Sequence, residues 1–108
     1  MAGVVAEIAV VPLGTGSPSV SRYVAECVRL LAASGLKYEV TAMGTIVEGE
    51  LEKVLAVARQ MHEAPFAAGV ARVVTTIKID ERRDKALSIR DKVAAVTGQL
   101  KQLKNFGV

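Results

Sequence analysis

Hydrophobic and polar positions change period several times along the chain, and each change marks an element. Residues 4–12 (VVAEIAVVP) are almost all apolar or β-branched and predict a strand. Val4, Ala6, Ile8 and Val10 share one face, and Val5, Glu7, Ala9 and Val11 the other. The first face is wholly apolar and the second carries Glu7, which suits a strand with one face under helices and one less dry. Residues 18–34 switch to helical spacing, with Val20, Tyr23, Val24, Cys27, Leu30 and Leu31 as the stripe. Pro18 fits the first turn, Ser17 or Ser19 is expected to cap it, and Gly35 to end it. Residues 36–43 (LKYEVTAM) alternate as a strand, Gly44 allows a turn or bulge, and residues 45–48 (TIVE) return antiparallel.

A second helix follows, with Glu50 near its positive end and Leu51, Val54, Leu55, Ala58 and Met61 as its stripe. Pro65 is expected to end or kink it at Ala64, with Gly69 closing the connection. Residues 71–80 (ARVVTTIKID) form the strongest strand pattern, with Val73, Thr75, Ile77 and Ile79 on one face and Val74, Thr76, Lys78 and Asp80 on the other. From residue 85 a last helix is expected, with Asp84 near its start. Its narrow seam of Ile89, Val93, Val96, Leu100 and Leu103 is cut by Thr97 and Gly98 and packs on its own domain or on another subunit.

Strand, helix, strand, strand, helix, strand is the split arrangement of α+β ferredoxin-like domains, here with an additional C-terminal helix. Two helices would cover one face of a four-stranded antiparallel sheet. The open face would carry Glu7, Thr76 and Lys78 among Val5, Ala9, Val11 and Val74. That surface is too apolar to stay bare, so another subunit is expected against it, and pockets form at such junctions.

Length and composition narrow the function. A chain of 108 residues is expected to be one domain. Aromatic residues are 4% with no Trp, so platforms for stacking bases are scarce. A net charge of +3, from 14 basic and 11 acidic residues that are mostly interspersed, is too weak a footprint for nucleic acid. Cys27 and His62 are each the only residue of their kind, which excludes an internal disulfide and a Cys/His metal set. No cofactor is implied. Without a signal-peptide pattern or a membrane-length apolar run, the expectation is a cytoplasmic protein with no membrane partner.

The loop Gly14–Ser19 lies between a strand and a helix, as in nucleotide-binding turns. A dinucleotide fingerprint needs a third glycine where Ser19 stands, and no Gly-Lys pair occurs for the other phosphate loop. Gly14 and Gly16 are read instead as residues supplying positive φ or a tight bend. Cys27 reads as a buried inert thiol and His62 as a surface or partly packed histidine at a helix end. The charge run KIDERRDK (78–85) is a solvated loop or, through Arg82 or Arg83, an anion grip. No nucleophile–base pair is visible, so no catalytic residue is assigned.

Taken in order, VPLGTG, S-x-YVAE, TAMGTIVEG and RVVTTIKIDERRDK with a terminal helix resemble the YkoF-like thiamine-binding family from about residue 4 to residue 104. The resemblance implies a ferredoxin-like fold, a homo-oligomer that is a dimer of dimers, and binding of thiamine or its hydroxymethylpyrimidine part, with no known catalysis. Such a ligand wants a carboxylate or carbonyl, hydroxyls and an apolar wall. Glu48, or less readily Glu7, would supply the carboxylate. Thr15 and Thr45 would supply hydroxyls and Met43 the wall, while Ser19 and Tyr23 would close the other side. Two alternatives stay open: a structural or regulatory oligomer that binds another metabolite, and an enzyme on thiamine-related substrates using Asp80, Arg82 and Arg83.

Overall fold

The computed structural model describes residues 3–105. Two ten-residue strands form its centre. β1 (Val4–Leu13) and β4 (Arg72–Glu81) pair antiparallel over their whole length, from Val4 opposite Glu81 to Leu13 opposite Arg72. On the other side of β1 lies β3 (Thr45–Gly49), and beyond it β2 (Lys37–Val40). The order β2-β3-β1-β4, with every neighbour antiparallel, is the ferredoxin-like α+β arrangement. Helices α1 (Ser21–Ser34) and α2 (Leu51–Ala67) pack on one face, over Val4, Ala6, Ile8 and Val47, and contribute Leu31, Val54 and Met61 to the core.

Several element ends differ from the sequence expectation, each for a local reason. Helix α1 starts at Ser21, with Val20 as its N-cap and no side-chain cap. Pro18 and Ser19 belong to the loop. The two hydroxyls expected to cap the helix bond locally instead: Ser17 Oγ accepts the Ser19 N–H (3.2 Å) and Ser19 Oγ lies 3.3 Å from Ser21 Oγ, while Thr15 Oγ1 ties the loop by donating to the Ser17 carbonyl (2.9 Å). Gly14 and Gly16 sit at φ 71° and 78° with open space around them, so their role is conformational. β2 is shorter than its alternation suggested, because residues 41–44 are taken into the turn.

Helix α2 runs through Pro65 to Ala67 rather than stopping at Ala64. A proline there lacks the N–H that would bond the carbonyl four residues back, that of Met61. The thiol of Cys27, from α1, donates to that carbonyl at 3.6 Å. The group orphaned by the proline is thus satisfied across the helix pair. Gly69, at φ 93°, then closes the connection as expected. The buried stripe of α2 is Val54, Val57, Ala58, Met61 and Pro65, while Leu51 and Leu55 fall on its shoulder and stay exposed. Val57, short enough for close approach to the sheet, takes the place expected for Leu55.

Helix α3 (Ile89–Asn105) begins later than expected. Residues 82–84 belong to a loop carrying the ion pairs Arg82–Asp84 and Arg83–Glu81. Ser88 Oγ accepts the Asp91 N–H (3.0 Å), so the acid in the first turn is Asp91, not Asp84. α3 meets the end of the sheet near Glu48, and its seam continues uncovered: Val96 is 62% exposed. The longest extent of the chain is 54 Å.

Candidate functional site

The stripe of α1 changes along its length, with Val20 and Val24 at the start and Leu30 and Leu31 near the end. Where the short valines face Ile8 and Val10 of β1, the layers do not fill the space, and a cavity of about 190 Å³ remains. Met61 and Cys27 also line it. Burial pushes the Cys27 thiol above its ordinary pKa, and the charge of Glu26 adds to the shift, so the cavity holds a neutral sulfur.

The turn between β2 and β3 forms the rim. Thr41 builds it, its hydroxyl donating to the Gly44 carbonyl at 2.7 Å and its N–H to the same oxygen at 2.9 Å. Gly44 lies against β1, where an added Cβ would stand 3.2 Å from Glu7 Cγ and 3.3 Å from the Ile8 carbonyl oxygen. Its smallness, not its backbone freedom, lets the turn close on the cavity. Met43 stands 84% exposed at this rim. Thr45, which begins β3, lines the cavity and is only 4% exposed. No group among the described residues hydrogen-bonds its hydroxyl. No side-chain oxygen or nitrogen among the described residues is both fully buried and unpartnered, so this hydroxyl opens onto the cavity, where a ligand or a water can pair with it.

The residues expected to form one pocket are divided among separate places. Met43 and Thr45 line the cavity. Thr15, Ser19 and Tyr23 line a separate recess outside the start of α1, together with Ser17, Ser21 and Arg22. There the Arg22 guanidinium donates to the Tyr23 hydroxyl (2.7 Å) and lies 4.8 Å from the ring centroid. Glu48 is at the opposite end of the sheet and on its other face. Its Oε2 accepts the Ile89 N–H at 3.3 Å, so this carboxylate seats the positive end of α3. Glu7 lies half-buried on the same open face, beside Gly44.

Arg82 and Arg83 are each paired with a carboxylate in the loop before α3. His62 is away from the cavity, with Nδ1 at 2.7 Å from Thr75 Oγ1 and its ring edge-on to Phe66 at 5.5 Å. Among the described residues no group of three or more His, Cys, Asp or Glu is arranged to hold a metal, and no helix is long and apolar enough to cross a membrane.

The sequence reading missed Val20, Val24, Cys27 and Met61 as cavity walls and treated them as core stripes. The taper from valine to leucine along α1 was the available signal. It marks the end of the layer where side chains stop short. An apolar cavity of about 150 Å³ accepts a benzene-sized ring. The space here therefore suits one substituted ring, with a hydroxyl for a ring heteroatom.

Residues 6–97 match the sequence family described as thiamine-binding protein. The chain is 43% identical over 100 residues to UPF0045 protein YqgV of Bacillus subtilis, an alignment covering 89% of this chain and 96% of that one. It is 46% identical over 94 residues to a UPF0045 protein of Methanothermobacter thermautotrophicus, covering 86% and 95% respectively. The crystal structure of MJ1052 from Methanocaldococcus jannaschii matches with a TM-score of 0.82 at 41% identity, over 90% of this chain and 98% of that one. A Thermotoga maritima protein described in terms of thiamine biosynthesis or salvage shares the fold, with a TM-score of 0.72 at 23% identity over 87% and 98%. The family match spans most of the length and the relatives are this similar throughout: the chain belongs to the thiamine-binding protein family.

Proposed function

We propose that this chain is a non-catalytic binder of thiamine or its hydroxymethylpyrimidine part, with the pyrimidine ring in the cavity between α1 and β1. The observation that carries this reading is Thr45, whose residue is almost wholly buried while its hydroxyl, bonded to no other described residue, opens onto an otherwise largely apolar cavity. The family match supports a small-molecule role. The volume of about 190 Å³ supports a single ring inside, with the remainder of the ligand passing Met43 at the rim. A neutral, hydrogen-bonded thiol at the wall supports binding rather than nucleophilic chemistry. The protein works in the cytoplasm as a homo-oligomer, a dimer of dimers. Val11 and Val74 on the open face and the uncovered seam of α3 are the apolar surfaces that favour self-association.

Isothermal titration with thiamine, and separately with free hydroxymethylpyrimidine, tests the ligand. Both are expected to bind saturably. Thr45→Val keeps the shape and removes the hydroxyl, and is expected to weaken both ligands about tenfold, the value of one neutral hydrogen bond. Unchanged affinity in Thr45→Val would remove the ring from this cavity.

A further inference from the structure

Strand β1 is paired along its whole length on one side only. On the β4 side the ladder runs from Val4 to Leu13. On the other side β3 begins at Thr45, opposite Ile8, and the chain just before it is taken into the turn of residues 41–44. Residues 9–13 of β1 therefore present a free backbone edge on that side. Successive residues of a strand point their N–H and C=O to alternate sides, and Pro12 fixes which residues point where. It has no N–H, so its pairing with Val73 is of the kind that exchanges no hydrogen bonds, and its backbone faces away from β4. By alternation Ile8 and Val10 also face away from β4, whereas Ala9, Val11 and Leu13 bond to it. Gly44 agrees with this assignment, since a Cβ there would stand 3.3 Å from the Ile8 carbonyl oxygen.

Three residues thus turn their backbones to this side, and they are not equivalent. Ile8 is paired with Thr45 in the ladder. Pro12 offers a carbonyl and no donor. Val10 offers an N–H and a C=O side by side, and neither has a partner in the ladder or the turn among the described residues. The cavity under α1 reaches this edge: Ala9 and Val11, whose side chains lie on the opposite face of the sheet, line it together with Ile8 and Val10. A backbone donor and acceptor turned into a largely apolar space need a partner there. We propose that the Val10 backbone reads the edge of the ligand ring, its N–H donating to a ring nitrogen and its C=O accepting from an amino group on the adjacent carbon. This rests on the ring lying in the cavity, as proposed above, and it names the class of ring: a heteroaromatic amine whose amino group adjoins a ring nitrogen, as in the aminopyrimidine of thiamine. A ring without that amino group leaves the Val10 carbonyl unpaired. The early end of β3 and the proline at position 12 together leave one residue with both groups to offer, so the selectivity lies in the backbone.

The wild-type protein suffices for the test, read by NMR at the Val10 amide. In the free protein this amide is expected to exchange with deuterium faster than those of Ala9 and Val11, which bond to β4. Saturation with hydroxymethylpyrimidine is expected to slow it towards their rates and to move its proton resonance downfield. The analogue lacking the amino group is expected to bind about tenfold more weakly, the value of one neutral hydrogen bond. Saturable binding that leaves the Val10 amide unmoved, or equal affinity for the two rings, would overturn this inference and leave the cavity reading standing. No saturable binding of either ring would overturn both. A Val10 amide already as slow as its neighbours in the free protein would show a closed edge and overturn the inference without any ligand.

Discussion

β1 and β4 lie side by side, are equally long, and have similar patterns of β-branched residues, yet they live in different surroundings. Val4, Ala6 and Ile8 of β1 are 1% exposed, whereas Ile77 and Ile79 opposite them are about 40% exposed. β1 has β3 on one side, β4 on the other and α2 above. β4 lacks one of those neighbours. The same side chain is core in the middle of this sheet and surface at its rim. Alternation encodes which face a residue takes, but burial depends on how many strands flank it.

The largest test of that contrast is a matched truncation. Ile8→Ala is expected to cost about 2–5 kcal/mol in urea unfolding, as for a fully enclosed isoleucine. At concentrations where the chain is dissociated, Ile77→Ala is expected to cost less than about half of that, because much of its area is already wet. Equal losses at high dilution would break the comparison.

Next in size is the bond between α1 and α2 at the dry centre. Cys27→Ala leaves the Met61 carbonyl without its donor and is expected to cost about 1–3 kcal/mol. Pro65→Ala supplies a backbone N–H for the same carbonyl, so the double substitution is expected to cost less than the sum of the two singles. Strict additivity in a double-mutant cycle would show that the thiol and the proline are independent.

The same thiol sets a pH signature. Its folded pKa is raised, so above the ordinary thiol value of about 8.5 the unfolded chain loses a proton that the folded chain keeps. Stability should therefore fall as the pH rises past that value, by up to about 1.4 kcal/mol per pH unit, and be flat below it. Denaturant midpoints between neutral and alkaline pH would show this slope, and Cys27→Ala should remove it.

The smallest effect belongs to the contact between β3 and the start of α3. Glu48→Gln weakens the seat of α3 by about 0.3–1 kcal/mol. It is expected to appear as faster amide exchange in the first turn of α3, with ligand affinity unchanged.

Most of the fold was legible because each element advertises its period. The turn glycines at 14, 16, 35 and 69 all take positive φ. The errors fell where a competing partner was non-local. Ser17 and Ser19 looked like caps because nothing in the sequence shows that Thr15 and Ser17 bond within the loop. Pro65 looked like a stop or a kink because the donor that satisfies the carbonyl it frees, that of Met61, lies 34 positions before that residue on another helix. Less of the site was legible. Met43 and Thr45 meet in the cavity, but Glu48 and Tyr23 are carried elsewhere by topology, and local motifs do not reveal which end of a sheet a residue reaches. The cavity itself is a deficit of volume between layers, and a deficit has no motif.

The sulfur-to-carbonyl bond between Cys27 and Met61 has a consequence for how sequences of this kind can vary. A proline at position 65 and a donor at position 27 form one unit, although no motif joins them. In a relative with an ordinary amino acid at the site of Pro65, the helix can close its own ladder, and the site of Cys27 becomes free to hold alanine. Where the proline is kept, the small donor should be kept with it, as a thiol or a hydroxyl. The two positions should therefore be replaced as a pair, in that order, across lineages.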